Sequence, residues 1–157
     1  MLVLPLNNGH DRKGFDCGDA DLNRWFRQVA RQHQEKRISS TFVVVTEVAS
    51  PEVLGFYAVN LAELVNADLP ESYRKRLPEK IPAFRLGRLA TATNHQRKRT
   101  GEFMLFDAID RVVRVAQDTG GVGLVVNAKP AAVNFYQQYG FEPMADHPHH
   151  LFLPISQ

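Results

Sequence analysis

Two stretches of the sequence hold residues whose types and spacing could do chemistry. The first is Gln96-Arg97-Lys98-Arg99-Thr100-Gly101, where three adjacent cations run into a long segment with an apolar stripe. A helix start leaves several backbone N–H groups without intrahelical partners and carries partial positive charge. A loop that adds its own N–H groups there makes an anion site. Cations at such a junction suggest a pyrophosphate ligand, and the competing reading is a solvated basic loop. The second stretch is Ala131-Ala132-Val133-Asn134-Phe135-Tyr136-Gln137-Gln138-Tyr139-Gly140-Phe141. Tyrosines on a short helix usually pack half-buried, but a positioned phenol also serves as a proton donor.

The charge distribution bears on the first stretch. Residues 71–114 hold 11 of the 19 Lys and Arg but only 5 of the 17 Asp and Glu. A local positive field suits a phosphate-bearing ligand, although a solvated basic face has the same composition. Cys17 is the only cysteine, which excludes an internal disulfide and suggests a reducing compartment. Nothing near it marks an activating base, so it is not read as a nucleophile. His147-Pro148-His149-His150 has metal-ligand side chains, but structural zinc takes four ligands, often with cysteine. The run reads as a polar connection into the last strand, and no metal is expected. No phosphate-binding Walker sequence and no nucleophile elbow occurs.

These residues need elements to position them. A length of 157 residues fits one domain over 1–157, with 44% apolar and 23% charged residues, ordinary for a folded cytoplasmic protein. No apolar run reaches the ~18 residues that span a membrane, and Met1 to Leu6 lacks the basic flank of a signal peptide. Leu2–Leu6 reads as a strand. Asp19 caps a helix over 20–36, with Leu22, Trp25, Phe26 and Val29 on one buried stripe. Strands follow at 41–46 and 53–61, joined by the turn at Ala49 to Glu52. A polar excursion over 66–82 holds one short helix, 71–77. A third strand covers 83–90. A long helix runs from Gly101 to about Thr119. A buried strand occupies 123–126. Pro130 opens a helix to Tyr139, with Gly140 behind it. The last strand is 151–153. Strand, helix, three strands, long helix, strand, helix, strand is an α/β or α+β domain, a mixed sheet flanked by helices.

With that order in place, the two stretches resemble the GNAT acetyltransferases. Their phosphate loop reads Gln/Arg-x-x-Gly-x-Gly/Ala at the start of the long helix. Gln96-x-x-Arg99-x-Gly101 matches two of its three fixed places. Their later helix carries Phe-Tyr-x-x-x-Gly-Phe, which Phe135 to Phe141 match fully. A narrower resemblance comes from Phe15-Asp16-Cys17-Gly18 before Leu22-Asn23, from Arg85-Leu86-Gly87-Arg88-Leu89-Ala90, and from Leu151-Phe152-Leu153-Pro154. Together these are similar to the GNAT toxins of bacterial type II toxin–antitoxin modules, over about residues 14–154. That family acetylates the α-amino group of aminoacyl-tRNA, halting translation, and is silenced by a ribbon-helix-helix antitoxin. It suggests a homodimer. The departures are Arg99 and Arg97, where the family has or often has glycine. Glycine adopts positive φ freely, whereas another residue forced left-handed costs roughly 1–2 kcal/mol. Guanidinium groups, in turn, bind phosphate well.

The resemblance implies an acetyl-CoA site. Leu89, Ala90 and Thr91 would pair with the pantetheine arm, and Gln96, Arg97, Lys98, Arg99, Thr100 and Gly101 would hold the phosphates. Asn127 and Asn134 would lie along the same donor. A backbone N–H near Leu89 or Ala90 would stabilise the oxyanion, and Tyr136 would protonate the departing thiolate, leaving Tyr139 to packing. Arg74, Lys75, Arg76, Arg85 and Arg88 would contact tRNA phosphates. No general base stands out. An α-amino group with pKa ~7.7–8.0 is already partly neutral at pH 7, whereas a lysine amine at ~10.4 is not, which favours an α-amine acceptor. The alternatives are an ordinary N-acetyltransferase of a metabolite, peptide or protein amine, and a non-catalytic relative that binds CoA or a partner.

Overall fold

A computed structural model describes residues 1–145 and 147–155. Its strands are β1 (Leu2–Pro5), β2 (Ser40–Val45), β3 (Gly55–Val65), β4 (Lys80–Thr91), β5 (Gly123–Asn127), β6 (Glu142–Met144) and β7 (His147–Pro154). Its helices are α1 (Ala20–Gln28), α2 (Ala30–Glu35), α3 (Thr100–Thr119) and α4 (Val133–Gln137). The strands form one mixed sheet in the order β1-β2-β3-β4-β5-β7-β6. β4 and β5 run parallel, while β1/β2, β2/β3, β5/β7 and β6/β7 are antiparallel. The chain divides into two compact units, residues 1–60 with 87–108, and residues 61–86 with 109–157.

In the first unit an aromatic cluster ties α1 to β3. Phe26 stacks on Phe56 at 4.3 Å, and Phe15 meets both rings edge-on at 5.1 and 5.4 Å. All three are buried, and each such side chain contributes about 1.5–3 kcal/mol by leaving water. Asp19 caps α1 by accepting from the N–H groups of Asp21 and Leu22. The single helix expected over 20–36 is two helices, broken at Val29. There the Arg12 guanidinium takes the Arg27 carbonyl at 3.0 Å, a group that would otherwise accept from Arg31 within the helix.

In the second unit Leu64, Leu69, Ile81, Val125, Met144 and Phe152 form the core. Gly123 opens β5 because a Cβ there would collide with the Phe152 ring. The helix expected over 71–77 is only a 3₁₀ turn, Glu71–Tyr73. The Asn66 side-chain amide donates to the carbonyls of Arg74 and Leu77, which pulls that segment into a knot of local bonds. Strand β3 runs on to Val65, past the expected end at Leu61. The helix expected from Pro130 to Tyr139 is a 3₁₀ turn, Pro130–Ala132, followed by the short α4. Strand β6 was not foreseen, and the histidine run is not a connection: His147 to His150 form the first half of β7.

Candidate active site

The β4–α3 loop lies in the first unit. Its sharpest feature is backbone conformation. Arg97 and Arg99 both take positive φ, 63° and 62°, while Lys98 between them does not. Alternation of left- and right-handed residues turns successive N–H groups toward one concavity, which suits a phosphate. The two arginines therefore keep the backbone that glycine gives the resembled family. All three cationic side chains of the loop are exposed, so none plugs the entrance to α3. The residues present thus fit a diphosphate.

The loop is also held from outside, which the sequence did not reveal. The Gln96 side-chain amide donates to the carbonyls of Cys17 at 3.1 Å and Thr91 at 3.2 Å. Gln96 thus shapes the loop rather than offering its amide to a ligand, and the Thr91 carbonyl is engaged. The Thr100 hydroxyl likewise donates to the His95 carbonyl at 3.3 Å. Thr93 N–H donates to the Asp16 carbonyl at 2.9 Å. Asp16 and Cys17 are in turn fixed by Asn23. Its Oδ1 accepts from Cys17 N–H, and its Nδ2 donates to the Asp16 carboxylate, each at 2.9 Å. The Gly18 N–H and then the Asn23 amide favour the charged Asp16 and lower its pKa. The Asp16-Cys17 and Leu22-Asn23 motif is therefore a clamp on the loop. Cys17 is half-buried and burial raises its thiol pKa, which agrees with an inert role.

The β4–β5 ladder covers only Phe84, Arg85 and Leu86 against Leu124, Val125 and Val126. Leu89, Ala90 and Thr91 lie beyond it on β4. Arg88 stacks over the Trp25 ring at 4.2 Å, and burial lowers its pKa. Arg74 donates from Nε to the Leu69 carbonyl at 2.9 Å, so it braces the 66–79 excursion, whereas Lys75 and Arg76 are exposed.

Tyr136 lies in the second unit, on α4. It is 5% exposed, its ring set edge-on against Phe135 and Phe141 at 5.1 and 5.4 Å. Burial pushes its phenol pKa up, so the hydroxyl stays protonated across the physiological range. The ring is enclosed, yet the hydroxyl is not among the fully enclosed, unpaired polar atoms of the described residues, which are Ser39 Oγ and Thr41 Oγ1. Gly140 turns the chain after α4 with φ 96°, and Phe141 N–H returns to the Tyr136 carbonyl. The Phe-Tyr-x-x-x-Gly-Phe motif is thus a device for holding one phenol. Tyr139 packs edge-on against Phe135 at 5.4 Å. Asn134 is exposed on α4. Arg85 and Asn127 meet, Nη1 donating to Oδ1 at 3.4 Å, beside a cavity that also takes in Glu63, Asp68, His147 and His150. Of these last four, Glu63 fell between the strand expected to end at Leu61 and the excursion from 66, Asp68 in that excursion, and His147 and His150 in the expected connection. The only sequence signal was their proximity to β-strand ends.

The profile of the acetyltransferase (GNAT) domain matches residues 15–150, so the chain belongs to the GNAT acetyltransferase family. A probable toxin TacT of Sinorhizobium fredii is 28% identical over 166 residues, spanning 99% of this chain and 91% of its own. A tRNA-acetylating toxin of Mycobacterium tuberculosis is 30% identical over 149 residues, spanning 94% and 88%. Among solved structures, AtaT complexed with acetyl-methionyl-tRNAfMet superposes with TM-score 0.91 at 27% identity, covering 98% of this chain and 94% of that one. AtaTR bound with AcCoA gives 0.85 at 28%, covering 98% and 93%.

Proposed function

We propose that this chain is a toxin that moves the acetyl group of acetyl-CoA onto the α-amino group of aminoacyl-tRNA and so blocks translation. It acts as one domain over 1–157, as a cytoplasmic homodimer held silent by a ribbon-helix-helix antitoxin. The observation that carries the donor half is the left-handed backbone at Arg97 and Arg99. It reproduces a glycine-type phosphate loop without glycine. Similarity to a tRNA-acetylating toxin and to a tRNA-bound AtaT supports the acceptor half.

In this reading acetyl-CoA supplies the activated acetyl group. The loop N–H groups from Arg97 to Gly101 bind its diphosphate, and the exposed guanidinium groups of Arg97 and Arg99 add charge-assisted contacts. Main-chain groups of Leu89 and Ala90 align the thioester, and an N–H there stabilises the oxyanion. Tyr136 Oη gives its proton to the departing sulfur. A phenol above pKa ~10 is a weaker acid than a thiol near ~8.5. Burial raises it further, so the proton moves only as the C–S bond breaks. The attacking amine loses its own proton to solvent. Mass spectrometry of total aminoacyl-tRNA incubated with the protein and acetyl-CoA tests the reading. The expected result is N-acetylated aminoacyl-tRNA, and a pool left wholly unmodified while acetyl-CoA binds would refute it.

A further inference from the structure

The cavity beside Arg85 and Asn127 measures about 500 Å³, within the ~300–1,000 Å³ of small-ligand sites. It lies wholly in the second unit, and of its lining only Asn127, here bonded to Arg85, was expected to lie along the donor. Its lining mixes three kinds of group. Glu63 on β3 and Asp68 just after it supply two carboxylates, neither with a side-chain partner among the described residues. Arg85 supplies one cation, tied among the described residues only by the long bond to Asn127. His147 and His150 on β7 supply two rings stacked 4.1 Å apart at 27°. Val125 and Met144 give the floor apolar area.

This combination excludes simpler ligands. A polyanion such as the donor would face two unpaired carboxylates. A lysine side chain or polyamine would face Arg85 and leave the ring pair unused. A ligand with an amine at one end, a phosphate at the other and a planar ring between them meets every group. We infer that the cavity seats the 3′-terminal aminoacyl nucleotide of the acceptor, with its amine against Glu63 and Asp68, its phosphate against Arg85 and its base on the His147–His150 pair. This rests on aminoacyl-tRNA being the acceptor, as proposed above. A neutral His150 ring suits base stacking. Burial first, then the charges of His147, Arg85 and His149, lowers the His150 pKa and keeps that ring neutral at pH 7. The carboxylates bind the amine in its ammonium form, whose pKa they raise, and it attacks once that proton has passed by way of a carboxylate to solvent.

Calorimetric titration of the full chain tests the assignment without turnover. The probe is 3′-(methionylamino)-3′-deoxyadenosine 5′-monophosphate, compared with the same compound lacking the 5′-phosphate and with its N-acetylated form. The wild type binds the probe. Arg85→Ala weakens the phosphorylated compounds about tenfold and spares the unphosphorylated one. Glu63→Gln with Asp68→Asn weakens the free-amine compounds about tenfold and spares the N-acetylated one. His150→Ala weakens all three, and His150→Phe, which keeps a ring, restores them. Acetyl-CoA binding by each variant verifies folding. Absence of binding by the wild type, or equal affinity across variants and compounds, overturns the assignment. A wild type that binds in this pattern yet leaves aminoacyl-tRNA unmodified refutes the toxin reading alone.

Discussion

The β4–α3 loop and the turn of helix around Tyr136 equip the protein in opposite ways. On the proposed reading the loop works through main-chain N–H groups; it wears its side chains outside and owes its shape to partners as distant in sequence as Asn23. Because the backbone is the instrument, side-chain identity is negotiable: arginine stands where glycine is usual as long as φ stays positive. Around Tyr136 the backbone is only a mount. In the same reading one phenol, packed between Phe135 and Phe141, is the instrument. A main-chain site spreads its energy over many residues, so each substitution costs little. A side-chain site concentrates it in a single atom.

The sharpest break in that contrast comes from Tyr136→Phe. It keeps the packed ring and removes only Oη, so turnover falls at least ~100-fold while acetyl-CoA affinity and thermal stability stay near wild type. Steady-state CoA release beside calorimetry checks this, and turnover within a few-fold of normal would remove Tyr136 from the chemistry. Asn23→Ala comes next. It deletes both clamp bonds, each worth ~0.5–1.5 kcal/mol. Acetyl-CoA affinity is expected to fall about tenfold with kcat little changed; a loss confined to kcat would contradict a positioning role. Arg97→Gly and Arg99→Gly should have smaller, opposed effects. Relief of ~1–2 kcal/mol of left-handed strain, less ~0.5–1 kcal/mol for glycine's backbone freedom, leaves ~0–1.5 kcal/mol and raises Tm by about 3–6 °C at most. Loss of an exposed cation weakens donor binding only a few-fold. A lowered Tm would show that the arginines are not strained. The smallest effect is a flat limb in the pH profile. The raised Tyr136 pKa keeps the acid protonated, so turnover rises as the amine deprotonates near pH ~7.7–8.0 and does not fall again below pH ~10. A falling limb in that range would indicate a different acid.

Much of this was legible in the sequence. The Phe135 to Phe141 signature and the basic run at 96–101 are local patterns, and local patterns survive without coordinates. The Asp19 cap and the Gly140 turn were readable for the same reason. The break at Val29 was not, because Arg12 reaches it from the preceding loop while the apolar stripe continues past it. Strand β6 is three residues long with Pro143 at its centre, and His147 to His150 carry no β-branched residue to mark a strand. The cavity was illegible because it gathers residues from positions 63 to 150, each unremarkable alone. Conversely, Phe15-Asp16-Cys17-Gly18 could be read as a resemblance but not as a clamp, since its partner Gln96 lies 79 residues away from Cys17.

The left-handed turns at Arg97 and Arg99 have a kinetic side as well. Guanidinium groups held out in solvent pull on an anion several ångströms before the amide groups touch it, and salt attenuates that pull within about a Debye length. On the proposed reading, capture of the donor slows as ionic strength rises, while its escape from the amide concavity is governed by short-range bonds that salt scarcely reaches. Arrival would then be set by two side chains, and residence by the main chain that carries them on to Gly101.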